Sequence, residues 1–96
     1  MKAILLSALI LISLTTRAQE TRKRVRLGVA GMTHGHVGWI LQKMQGRNYE
    51  VVGIAEKNQS LAGRLFDQHD IPDSLFFAGL EEMLETKQPD AVVAFN

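Results

Sequence analysis

The chain has 96 residues, enough for one domain, and 46% of them are hydrophobic. Its 11 Lys and Arg residues nearly balance its 10 Asp and Glu residues, which argues against the concentrated positive charge of a nucleic-acid-binding surface. Cysteine is absent, which excludes disulfide bonds, thiolate metal sites, a cysteine nucleophile and a lipoprotein anchor.

The N-terminal residues have the pattern of a secretory signal peptide. Lys2 supplies an early positive charge, residues 3–14 are apolar or small, and small residues surround a cleavage point near Ala18. We assign residues 1–19 to this signal and expect a periplasmic or secreted protein that meets a membrane only through this segment during export. A short membrane anchor is the alternative, although the apolar segment is shorter than the ~20 residues that span a bilayer. The positive residues at positions 17 and 22–24 oppose export, because such charge is retained on the cytoplasmic side.

Strands and helices alternate along the remaining residues, 20–96. Residues 25–30 form an apolar segment typical of a buried parallel strand. Residues 35–45 carry apolar side chains at the spacing of an amphipathic helix, and Gly46 is expected to end that helix in a left-handed conformation. A second strand follows at residues 49–55.

The second half of the chain continues this alternation. Asn58 or Ser60 is expected to cap a second helix, which residues 70–73 stop, and residues 74–77 form a short third strand. Gly79 begins a third helix. Three of its apolar residues are expected to face the core: Leu80, Met83 and Leu84.

A fourth strand at residues 91–95 completes the order βαβαβαβ. This order predicts an α/β domain with a parallel sheet, in the manner of a partial Rossmann fold that ends after its fourth strand.

The loop after the first strand is the candidate binding site. A glycine-bearing turn that leads from a strand to a helix N-terminus presents backbone N–H groups to the phosphates of a dinucleotide. Gly31 fits the turn, and Glu56 ends the second strand, where a carboxylate accepts the ribose hydroxyls of an adenosine and repels a 2′-phosphate. Lys57 instead suits a 2′-phosphate, so NAD and NADP both remain open. The alternative for Glu56 is a solvated loop residue without such a role.

The dinucleotide fingerprint in this loop is imperfect. Reading G-x-G-x-x-(G/A) from Gly31 places Thr33 where the second glycine is expected and His36 where a small residue is expected. His34 and His36 also form a His-x-His pair, with His69 as a distant third candidate ligand. Without cysteine or a matched carboxylate cluster these histidines do not make a typical metal site, and none is predicted. Trp39 is read either as a surface aromatic or as a residue packed beneath the loop.

Four motifs, in order and at appropriate separations, resemble a known family. They are residues 25–31 (VRLGVAG), 51–56 (VVGIAE), 80–84 (LEEML) and 89–94 (PDAVVA). They are similar to the N-terminal NAD(P)-binding domain of the glucose–fructose oxidoreductase, inositol dehydrogenase and rhizopine-catabolism family (Gfo/Idh/MocA). That resemblance implies an oxidoreductase acting on sugars or polyols, with NAD or NADP as cofactor.

The resemblance also implies which residues contact the cofactor. They are Gly28, Gly31, Met32, Thr33, His34, Gly35, His36, Glu56, Lys57 and Asn96. The family's catalytic lysine motif and substrate domain have no counterpart in these residues, so no catalytic residue is predicted. We expect the first part of a cofactor domain that meets its sugar or polyol only in a full-length protein; a stand-alone nucleotide-binding module and a non-functional truncated product are the alternatives.

Overall fold

The computed structural model describes residues 23–96, so the predicted signal peptide lies outside the described residues. Four strands form one all-parallel sheet: β1 (Val25–Ala30), β2 (Tyr49–Ala55), β3 (Phe76–Phe77) and β4 (Ala91–Ala94). Three α-helices connect them: α1 (Val37–Leu41), α2 (Gln59–Gln68) and α3 (Leu80–Lys87). A 3₁₀ turn at Asp73–Leu75 precedes β3. The predicted α/β class with a parallel sheet is therefore confirmed.

The strands lie in the order β3-β2-β1-β4, so β1 is central and is flanked by β2 and β4. Neighbouring residues of a strand point to opposite faces of the sheet, and this alternation divides the core in two. Ile54 packs in a large cluster with residues of α1 and α2, whereas Ala55 packs with Met83 of α3. Helices α1 and α2 therefore cover one face, and α3 covers the other.

Two glycines let α3 approach its face of the sheet closely. A one-residue irregularity in the β1–β2 register places Gly28 beside Gly53. A Cβ at Gly28 would lie 2.8 Å from Cε of Met83, and one at Gly53 would lie 2.9 Å from Cγ of the same side chain. The fully buried Met83 thus occupies the space that the two missing side chains leave.

The first helix is shorter than the prediction for residues 35–45, because the chain turns early toward β2. The amide of Val51 donates to the carbonyl of Met44 at 2.8 Å, and the amide of Gly46 donates to the carbonyl of Tyr49 at 2.9 Å. These bonds draw residues 44–46 alongside the second strand and away from helical geometry. Gly46 does not have the expected left-handed conformation; a side chain there would instead collide with the ring of Tyr49.

The other element boundaries agree more closely with expectation. Asn58 is the cap of α2, and its side chain accepts a hydrogen bond from the amide of Leu61 at 3.0 Å. The third helix follows Gly79 as predicted, but Leu80 and Leu84 are 43% and 38% exposed, so the expectation that both face the core is wrong. Only a small cluster lies beneath α3, and Met83 alone fills its contact with the sheet.

No helix within residues 23–96 has the length and the apolar character that crossing a membrane would require.

Gly63 offers a test of the helix assignment. It is exposed in the interior of α2, and a Cβ there would meet no atom within 4 Å. We expect Gly63→Ala to raise the free energy of unfolding by about 0.5–1 kcal/mol, because alanine loses less conformational freedom in a helix than glycine. Urea unfolding followed by circular dichroism measures the change.

The matched control for this substitution is Gly53→Ala. Its new methyl group would press on Met83, so stability is expected to fall. A loss of stability in Gly63→Ala would contradict the open helix face described for that residue.

Candidate functional site

The turn that ends β1 requires glycine at position 31 for two independent reasons. Gly31 has a φ of +85°, a conformation that residues with a Cβ rarely adopt. The side chain of Asn96 also lies where a Cβ of Gly31 would be, so any larger residue would collide with it. Because Gly31 has no side chain, the loop after β1 can pack directly against the segment that follows β4.

Protein acceptors already bind most of the backbone N–H groups in this loop. The amide of Gly31 donates to the carbonyl of Ala55 at 2.8 Å, and the amide of His34 donates to the carbonyl of Phe95 at 2.9 Å. The amide of His36 donates to Nδ1 of His34 at 3.1 Å. The expectation of a fully open set of amides is therefore wrong, because the loop is tied to the residues that end β2 and β4.

Helix α1 does not supply the expected row of free amides either. It has five residues and begins at Val37, after two loop residues that were predicted to be helical. Its first amides bond to carbonyls three residues earlier; that of Val37, for example, donates to the carbonyl of His34 at 3.0 Å. Within residues 31–36, only the amides of Thr33 and Gly35 have no acceptor among the described residues.

Glu56 joins two loops through its carboxylate. Its Oε1 accepts the amide of Met32 at 2.7 Å, and its Oε2 accepts the amide of Asn58 at 2.8 Å. The residue is only 6% exposed, so the alternative of a solvated loop glutamate is wrong. A carboxylate has about four lone-pair positions, so each oxygen can still accept one further hydrogen bond.

A cleft of ≈ 480 Å³ opens between these loops at the carboxyl ends of the strands. Five of the predicted residues line it: Gly31, Thr33, Glu56, Lys57 and Asn96. Sequence reasoning missed three apolar residues of its wall: Ala55, Ala78 and Leu80. Ala78 directly follows β3, and its place after a parallel strand was the signal that could have identified it.

The other five predicted residues lie outside the lining of this cleft. Gly28 lies beneath Met83 and has a packing role, and the side chain of Met32 is buried in the core at 2% exposure. The remaining three, His34, Gly35 and His36, form the exposed outer part of the loop.

The ring of His36 stacks on that of Trp39 and lies tilted against that of His34. The ring centroids of His34 and His36 are 4.4 Å apart, and those of His36 and Trp39 are 4.3 Å apart. Trp39 is 72% exposed, which supports the reading of a surface aromatic. Within residues 23–96, no group of three or more His, Asp or Glu side chains is arranged to hold a metal ion.

Replacing Glu56 by glutamine tests the bridge between the two loops. The new side chain has one carbonyl oxygen, so its NH₂ group would face a backbone donor in a buried position. We expect Glu56→Gln to lower the free energy of unfolding by about 1–3 kcal/mol, the cost of a buried donor without an acceptor.

Chemical unfolding measures this loss, with Glu85→Gln as the matched control. Glu85 is exposed on α3, and its substitution is expected to change stability by less than about 0.5 kcal/mol. Equal stabilities of the two variants would show that Glu56 does not hold the loops together.

Comparison of the chain with protein-family models, with curated proteins and with solved structures finds no match in any of the three. The chemistry of the cleft and the order of the strands therefore carry the functional argument.

Proposed function

We propose that this chain is the NAD(P)-binding part of an exported oxidoreductase that resembles the Gfo/Idh/MocA family and has a partial Rossmann fold. One observation carries the proposal. The chain leaves β1 toward β2 and β3 on one side and returns to β4 on the other, and the cleft lies beside the carboxyl end of β1. In open parallel sheets, such a reversal of strand order is where nucleotides bind.

The residues around the cleft match the three parts of a dinucleotide. The Gly31 turn and the amide of Thr33 would hold the diphosphate, since backbone N–H groups without protein acceptors bind anions. Glu56 would accept the ribose hydroxyls with its remaining lone pairs. Ala78, beside the apolar Leu80, would pack against the adenine ring.

The fit of this cofactor rests on the missing side chain at Gly31. A Cβ there would collide with the side chain of Asn96, so the turn can keep the shape that forms this wall of the cleft only with glycine at this position. Lys57 is exposed at the rim of the cleft and suits the 2′-phosphate of NADP, whereas Glu56 suits the free 2′-hydroxyl of NAD. NAD and NADP are therefore both candidates.

When bound, the nicotinamide cofactor supplies hydride transfer. The residues described above bind and orient it. The resemblance assigns the substrate to the sugars and polyols, and it assigns the proton-transferring lysine to a motif that these 96 residues do not contain. The same proposal places the protein in the periplasm or outside the cell, through the signal pattern of residues 1–19.

Calorimetric titration of the purified chain with NAD⁺, NADP⁺ and ADP-ribose tests the proposal. Saturable binding of at least one of them is expected. Gly31→Val is expected to abolish binding, because its branched Cβ would displace Asn96 and strain the turn. Gly63→Ala, which changes an open glycine of α2, should bind as the original chain does.

A second substitution tests the cleft without the risk that the turn at Gly31 misfolds. Ala78 is exposed at the cleft wall, so Ala78→Trp fills the site without disturbing the core. Its circular dichroism should be unchanged while nucleotide binding is lost. Undiminished binding in Ala78→Trp, or no binding by the original chain, would overturn the proposed function.

Lys57→Ala tests which dinucleotide the cleft prefers. Removing a cation that pairs with a 2′-phosphate should lower the affinity for NADP⁺ by about tenfold or more and leave the affinity for NAD⁺ nearly unchanged. Lys43→Ala, which removes an exposed lysine at the other end of the sheet, is the matched control. An equal loss for both cofactors in Lys57→Ala would show that this lysine does not recognise the phosphate.

A further inference from the structure

Three basic residues from two separate segments meet at the end of the sheet opposite the cleft. Lys23, Arg24 and Arg47 line a surface depression of ≈ 540 Å³ together with Val25 and Asn48. All three basic side chains are exposed. We call these three residues the basic patch.

The parallel pairing of β1 and β2 brings the patch together. Val25 is in register with Tyr49, and the amide of Val25 donates to the carbonyl of Asn48 at 2.8 Å. The residues that precede the two strands are therefore neighbours, although they are more than twenty positions apart in the chain. The hydroxyl of Tyr49 also donates to the carbonyl of Lys43 at 2.7 Å, which adds a fourth exposed lysine or arginine to this end.

Acidic groups neutralise this surface only in part. Arg24 lies 3.9 Å from Glu50, but both side chains are partly exposed, and such pairs contribute little. Lys23, Lys43 and Arg47 form no salt bridge within residues 23–96.

Other carboxylates at this end of the sheet form no salt bridge with the basic patch within residues 23–96. That of Asp90, just before β4, accepts the amide of Arg26 at 2.8 Å. Asp67 and Asp70 lie at the end of α2, which leads to β3 at the edge of the sheet. The basic patch is thus a local excess of positive charge in a chain whose total charge is close to zero.

One more basic residue directly precedes the patch. Arg22 comes before Lys23 and remains with it when residues 1–19 are removed as a signal. Clusters of lysine and arginine at a protein surface bind the anionic headgroups of a membrane, at about 1 kcal/mol for each lysine or arginine.

We propose that the basic patch binds the headgroups of anionic phospholipids. The sheet then stands with the amino ends of β1 and β2 toward the membrane. The cleft lies at the carboxyl ends of the same strands, so it faces away from the lipid and stays accessible. This inference does not depend on the identity of the molecule in the cleft.

Co-sedimentation of the full chain with lipid vesicles tests the patch. One set of vesicles is pure phosphatidylcholine, and the other contains about 30% phosphatidylglycerol; the ratio of the two affinities separates headgroup recognition from insertion of the apolar segment. We expect tighter binding to the anionic vesicles, with a preference that shrinks as salt is raised.

Arg47→Glu changes the patch by two units of charge and should reduce the anionic preference by about 25-fold, roughly fivefold per unit. Arg64→Glu makes the same change in net charge on the exposed surface of α2 and should leave the preference nearly intact. Circular dichroism checks that both variants are folded.

Three results would overturn the proposal. They are equal binding of the original chain to both kinds of vesicle, an equal loss in the two variants, and binding to a DNA duplex with the same dependence on Arg47. The first shows no headgroup recognition, the second shows an effect of net charge alone, and the third assigns the patch to nucleic acid.

Discussion

The carboxylate of Glu56 is the interaction on which the cleft depends. It lies at the carboxyl end of β2 and bonds on one side to the amide of Met32 and on the other to that of Asn58. One buried charge therefore sets the position of the turn after β1 and the start of α2 together. Hydrogen bonds to a charged group contribute more than neutral ones, and loss of either bond would leave one buried carboxylate oxygen without its protein donor.

This bridge changes the meaning of the glycine-bearing loop. An anion-binding loop normally has backbone amides without protein acceptors. In this loop, amides donate instead to the carboxylate of Glu56 and to the carbonyls of Ala55 and Phe95. Its shape is consequently fixed by bonds within the protein, and within residues 31–36 only the amides of Thr33 and Gly35 have no acceptor among the described residues. Under the proposed function, a site formed in advance would lose less entropy on binding a nucleotide, which would compensate in part for the smaller number of contacts.

The order of strands and helices could be predicted from the sequence because it depends on local patterns. Continuous apolar segments predicted β1 and β2, and a cap at Asn58 or Ser60 predicted the start of α2, which the structure places after Asn58. The end of α1 could not be predicted, because residues 44–46 have the apolar spacing of a helix but are hydrogen-bonded to β2 instead. Leu80 and Leu84 have the spacing of buried residues, but the core beneath α3 is filled by Met83 alone.

The site was predictable where position along a strand determines it. Gly31, Glu56 and Asn96 each follow a parallel strand, and parallel strands share one edge, so their meeting in the cleft follows from the order of elements. The hydrogen bonds of the Glu56 carboxylate could not be predicted, because they depend on the rotamer of one side chain. The packing role of Gly28 could not be predicted from its neighbours in the sequence. It depends on α3, whose Met83 lies where a side chain of Gly28 would be.

The central place of β1 has a consequence for how the chain folds. Its two neighbouring strands lie at very different separations along the sequence. β2 follows β1 after one short helix, whereas β4 follows much later: Arg26 of β1 and Asp90, just before β4, are hydrogen-bonded across 64 positions. One hydrogen-bonding edge of β1 stays unpaired until β4 has been synthesised and has docked against it. Long-range pairing of this kind slows folding, and a bare edge recruits strands from other molecules in the meantime. The yield of native protein should therefore depend on chain concentration during folding more than on the stability of the finished sheet.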